Sequence, residues 1–126
     1  MAMPMSVASY LATSRPFLVN GVWQTSADVQ ESVSPSDGAV IGRYCIASAE
    51  QVDRAVAAAR ASHSDGRWCR LTAMERERVL QHAANLIDAT AEELGWIESL
   101  EGGRLLEPGI RHEIPHAAAT FRYYAG

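Results

Sequence analysis

The chain has 126 residues and a mass of 13.7 kDa, enough for one ordinary domain. Hydrophobic residues make up 48%, but 21 of them are Ala, and Val, Ile, Leu and Phe together number only 26, so any core is thin. Eleven basic residues against 15 acidic give a net charge of −4, which argues against a nucleic-acid binder that neutralises phosphates.

Every basic residue other than His is Arg, so chemistry that needs a lysine amine is excluded: a Schiff base, or the lysine of a P-loop. No apolar run approaches the ~20 residues of a membrane span, and no membrane role is expected. Residues 1–15 are rich in Ala, Ser and Met and lack acids, as organelle transit peptides do. Arg15 is their one basic residue, so the segment reads as a flexible tail instead. Two cysteines, Cys45 and Cys69, are too few for a disulfide framework, and a reducing, cytoplasmic setting is expected.

The first ordered pattern is Phe17-Leu18-Val19-Asn20-Gly21-Val22-Trp23. Asn-Gly between apolar residues predicts a hairpin, because a type I′ turn needs two residues that tolerate positive φ. Val29-Gln30-Glu31-Ser32-Val33 alternates with period two and reads as a strand. Ser34-Pro35-Ser36-Asp37-Gly38 reads as a tight turn, and residues 39–46 as a third strand. The first third is therefore predicted to be a small antiparallel β element.

Beyond Ile46 the period becomes 3.6. Three capping boxes predict three helix starts: Ser48 with Gln51, Thr72 with Glu75, and Thr90 with Glu93. The first helix is predicted to bury Val52, Ala55, Val56 and Ala59. The second presents Val79, Leu80, Ala83, Leu86 and Ile87; the third presents Leu94, Ile97 and Leu100 and stops at Gly102-Gly103. A last helix over residues 113–125 places Ile114, Ala117, Ala118, Phe121 and Tyr124 on one side.

His112-Glu113-Ile114-Pro115-His116 matches the H-E-x-x-H zinc pattern, in which two His one turn apart hold a metal and the Glu activates its water. Pro115 between them removes a backbone donor and forces the helix to start or kink there, and no third ligand follows. A small zinc hydrolase using His112, Glu113 and His116 is the remote alternative; a chance match is the preferred reading. Cys69 precedes a helix start beside Arg70, an arrangement that lowers a thiol pKa, but no His is placed as its base. A half-buried loop cysteine is the simpler reading. Cys45 reads as core filling. Glu75-Arg76-Glu77-Arg78 reads as a solvated helix face, and the aromatic group at Phe121, Tyr123 and Tyr124 as a packing edge. No glycine-rich dinucleotide loop, P-loop or serine elbow is present.

Read in order, these pieces resemble the N-terminal part of the aldehyde dehydrogenase superfamily. Val19-Asn20-Gly21-Val22-Trp23 resembles the family's I-N-G-x-W hairpin, and residues 33–41 its N-P-A-T-G-E-V-I turn. Residues 53–61, followed by Trp68, are similar to the helix with D-x-A-V-x-A-A-R-A and a later W. Residues 75–80 and 84–87 resemble the next helix, residues 98–104 resemble E-T-L-D-x-G-K, and residues 121–126 resemble F-R-Y-Y-A-G. The match covers residues 17–126. Three departures stand out: Ser34 for the usual Asn, a double glycine at Gly102-Gly103, and Arg104-Leu105 for Lys-Pro.

The resemblance implies an α/β fold, α+β as the chain stands, with a β-hairpin element followed by about four helices. It implies a domain division of 1–15 as tail and 16–126 as the N-terminal part of a coenzyme-binding domain. It implies NAD(P)+-dependent oxidation of an aldehyde to an acid, with a Cys nucleophile, a Glu-activated water and an oxyanion site built from an Asn side chain and a backbone N–H. Family members are several times longer, and all those residues match positions beyond 126. The expectation is therefore a fragment with no catalytic and no cofactor-binding residue of its own, binding neither NAD nor NADP tightly. Some members bind a monovalent cation through backbone carbonyls just before the N-P turn and the acid of E-T-L-D, and the matching positions here are Ser32, Val33 and Glu101; the alternative is that Glu101 faces solvent at a helix end. Self-association, or docking on a longer aldehyde dehydrogenase chain, is the expected partnership.

Overall fold

The computed structural model describes residues 2–126. The chain is α+β, with two small sheets followed by a stack of helices. The N-terminal segment expected as a tail carries a helix, α1 (Met5–Ala12), and a short strand, β1 (Ser14–Arg15). Pro4 ends the extended lead-in and α1 begins after it. Eight residues are too few to hold a helix in water. What holds α1 is tertiary: Val7 is the largest fully buried side chain, worth about 1.5–3 kcal/mol.

The hairpin forms as predicted, with β2 (Phe17–Val19) antiparallel to β3 (Val22–Gln24). Asn20 and Gly21 both have positive φ, 51° and 77°, as a type I′ turn requires. The second sheet has the order β1-β5-β4. Strand β4 (Val29–Val33) runs antiparallel to β5 (Val40–Cys45), with an irregularity at Ser32/Val33. Strand β1 joins the other edge of β5 in parallel, so the expected single antiparallel element is two sheets, one of them mixed. A parallel pair needs no local turn signal, which is why the sequence pattern does not announce it.

The turn between β4 and β5 explains Ser34. Its hydroxyl accepts the Ser36 N–H at 3.3 Å, the job an Asn side chain does in an Asx turn. Asp37 accepts the Ala39 N–H at 3.1 Å, and Gly38 supplies the positive φ of 73°.

Two predicted capping boxes are present. Ser48 and Gln51 open α2 (Ala49–Ser64), and Thr72 and Glu75 open α3 (Ala73–Ala89). The third is absent. Thr90 is the lone residue between α3 and α4 (Ala91–Gly102), and its hydroxyl turns back to the Leu86 carbonyl at 2.8 Å. Its expected partner, Glu93, instead accepts from Ser6 of α1 at 2.6 Å. A long-range bond has displaced the local one.

Helix α4 ends at Gly103, which adopts the left-handed C-cap with φ 71°. A Cβ on Gly103 would stand 2.8 Å from the Pro35 ring, so this glycine also seats the β4–β5 turn against α4. Of the pair Gly102-Gly103, only the second has these duties. A three-residue turn, α5 (Leu106–Pro108), leads through a π turn (Gly109–Glu113) into α6 (Ile114–Ala125). The Ile114 N–H reaches the Gly109 carbonyl, five residues back. The wide turn immediately precedes Pro115, whose ring would clash with a regular preceding turn.

Helices α3 and α6 pack together most extensively, and each carries a fully buried alanine, Ala84 and Ala118. Side chains this small let helix axes approach closely. Arg122 fastens the pair, donating to Asn85 at 2.9 Å and Asp88 at 2.6 Å. The stripe predicted for α2 is not covered: Val52 is 48% and Val56 50% exposed, Ala59 is exposed, and Ala55 only part-buried. On α3, Val79 and Leu86 are also exposed. The amphipathic pattern is present, but no described element lies over these positions.

Two predictions follow from this packing. Gly95 is buried, and a Cβ there would meet both the side chain and the backbone of Ile110. Gly95→Ala should lower the denaturation midpoint by the equivalent of about 1–2 kcal/mol, overpacking outweighing the gain in helix propensity. Ile110→Ala in the same chain should cost less than additively. The second concerns Glu75, held below its ordinary pKa by the Thr72 backbone N–H and then by the Thr72 hydroxyl. A depressed carboxyl stabilises the fold above its unfolded pKa and loses that contribution as pH falls. NMR shifts of the Thr72 and Glu75 amides should therefore report loss of the cap as pH falls below the ordinary range of a glutamate. Glu75→Gln should make the cap insensitive to pH.

Candidate functional site

The polar residues that come together from distant parts of the chain lie where the small mixed sheet meets the end of α4. Ser32 sits on β4 at the strand irregularity, beside Val33, and Glu101 sits in the last turn of α4. Ser32 Oγ donates to Glu101 Oε1 at 3.4 Å. This contact uses the Ser32 hydroxyl, whereas the expected cation site would use the backbone carbonyls of Ser32 and Val33.

The same carboxylate oxygen is already engaged. Arg15 Nη1 donates to Glu101 Oε1 as a close ion pair. The Arg15 side chain is 12% exposed and that of Glu101 33%. The guanidinium lies over the Tyr10 ring, its carbon 4.7 Å from the centroid, in cation–π geometry. Burial weakens the hold of Arg15 on its proton, but the hydrogen bond and charge of Glu101 outweigh it and keep the group above its usual pKa. Arg15 Nε and Nη2 are buried without an acceptor among the described residues. A Cβ on Gly42 would run into Nη2, so β5 gives the arginine its place by having glycine there. With a fixed guanidinium on Glu101, the donor set does not fit a second cation on that oxygen: two positive charges would share one carboxylate.

Sequence reasoning missed Arg15 in this role. The signal was small: the only basic residue in the first forty, lying before the first predicted strand.

The other candidates are separated. His112 lies in the π turn and His116 in α6, while Glu113 accepts from Arg104 at 2.8 Å. Among the described residues no group of three His, Cys, Asp or Glu is placed to hold a metal ion. Cys45 is buried, its Sγ 3.9 Å from the Ser26 carbonyl. Cys69 is exposed in the α2–α3 connection, not half-buried as expected. At the start of α2 the Ser48 hydroxyl takes the Gln51 N–H, and at the start of α3 the Thr72 hydroxyl takes the Glu75 N–H. No described helix is long and apolar enough to cross a membrane.

Comparison with known proteins agrees with this picture. A 10-formyltetrahydrofolate dehydrogenase, the cytosolic form of Pongo abelii, is 37% identical over 100 residues, which is 79% of this chain and 11% of that protein. The mitochondrial aldehyde dehydrogenase family 2 member B4 of Arabidopsis thaliana is 38% identical over 111 residues, 86% of this chain and 21% of that protein. The chain thus spans about a tenth to a fifth of the curated relatives it matches. Among solved structures, a G224D mutant of aldehyde dehydrogenase from Bacillus cereus superposes on the whole chain with a TM-score of 0.94 at 28% identity, 26% of that protein being covered. An NAD+ complex of the Bacillus cereus enzyme superposes equally well. The sequence profile of the aldehyde dehydrogenase family matches residues 23–126, and the chain belongs to that family.

Proposed function

We propose that this chain is an N-terminal scaffold portion of an NAD(P)+-dependent aldehyde dehydrogenase, without catalysis of its own. The observation that carries this reading is the superposition of the entire chain on only 26% of the Bacillus cereus enzyme. The sequence holds no glycine-rich dinucleotide loop, which supports it. In the complete family the cofactor accepts the hydride; the residues described here would brace the fold around it rather than touch it. The two free cysteines suit a cytoplasmic, reducing setting, although the relatives include both cytosolic and mitochondrial proteins.

A second reading is favoured by one observation, the uncovered apolar stripe. Val52 and Val56 on α2, Val79 and Leu86 on α3, and Phe121 and Tyr124 on α6 are all exposed. In this reading the chain is a non-catalytic module that associates with a complementary or longer aldehyde dehydrogenase chain, or with itself. Exposed stripes of this kind favour association.

The purified chain with NAD+ or NADP+ and a panel of aldehydes should form no reduced nicotinamide; turnover would overturn the first reading. Light scattering should show concentration-dependent association of the purified chain, and Leu86→Glu with Phe121→Glu should weaken it by about tenfold or more. A strict monomer at all concentrations would count against the second reading.

A further inference from the structure

Four elements converge on the Arg15 guanidinium: α1 through the Tyr10 ring, β1 through its own backbone, β5 through Gly42 and α4 through Glu101. The need for a positive charge here comes from α4. Glu101 adds a carboxylate to the last turn, where the helix dipole is already negative, and that turn holds no basic residue. The Ser32 hydroxyl donates to the same carboxylate, a neutral contact that leaves its charge unbalanced. The counter-charge must come from outside the helix. Arg15 supplies it as a close ion pair from β1. Its position is explained by its charge.

We propose that Arg15 is a built-in counter-cation, which takes the place of a free monovalent cation between β4 and the end of α4. Arg15 lies outside the residues 23–126 that match the family profile, whereas Ser32, Val33 and Glu101 lie inside. The inference holds whether or not the chain is part of a dehydrogenase, and its test needs no activity.

The experiment compares the chain in potassium, sodium and tetramethylammonium chloride at equal ionic strength. Amide exchange of peptides covering residues 29–45 and 91–103 is read beside the thermal midpoint. The wild-type chain should show the same protection in all three salts. Arg15→Met should lose about tenfold in protection of those peptides in tetramethylammonium and recover it saturably with potassium or sodium. Arg15→Lys, which keeps the charge, should remain indifferent to the salt. Arg15→Met with Glu101→Gln should not recover. A saturable potassium or sodium response in the wild-type chain would overturn the proposal. So would an Arg15→Met chain that neither ion restores, including one that is unfolded in tetramethylammonium and stays unfolded in potassium and sodium.

Discussion

Close approach to α4 is the constraint around which the other elements are arranged. The helix is contacted along its length: every residue from Leu94 to Leu100 is part-buried or buried. Gly95 lets Ile110 lie against its backbone, and Gly103 lets the Pro35 ring reach its end. Glu93 takes the Ser6 hydroxyl of α1, and Glu101 takes Arg15. The small sheet, the N-terminal helix and the π turn are therefore fastened to one twelve-residue element. A helix met from several sides cannot show a single clean apolar stripe, and this one does not.

Local chemistry was legible in the sequence where no distant partner competed. Asn20-Gly21 dictated its turn, and Ser48 with Gln51 and Thr72 with Glu75 closed their helix starts. Thr90 with Glu93 had the same letters and failed, because Ser6 lies 87 residues away in sequence but within bonding distance in space. The helix at Met5–Ala12 was illegible for a related reason: its stability is the burial of Val7, which no short pattern reports. Pro115 announced a break, but not that the chain would meet it by widening into a π turn.

The candidate site divides along the same line. The order of six short motifs was enough to identify the family. It also pointed to Ser32 and Glu101 as neighbours, which the fold places 3.4 Å apart. Arg15 fell before the first motif, so the resemblance had nothing to say about it. The apolar stripe on α2 stands largely open, whereas that on α3 is half covered, with Leu80, Ala83 and Ile87 part-buried and Val79 and Leu86 exposed. Periodicity reports what a helix is built to contact; it does not report whether the contacting surface belongs to the same set of residues.

The widened turn at Gly109–Glu113 fixes the phase of everything after it. One residue more per turn than a regular helix sets α6 back by about 100° relative to an uninterrupted α-helix from Leu106. Removing a single residue from that turn would invite ordinary winding and turn the buried Ala118 away from its present direction, so chain length in this short stretch works as an angular setting for α6.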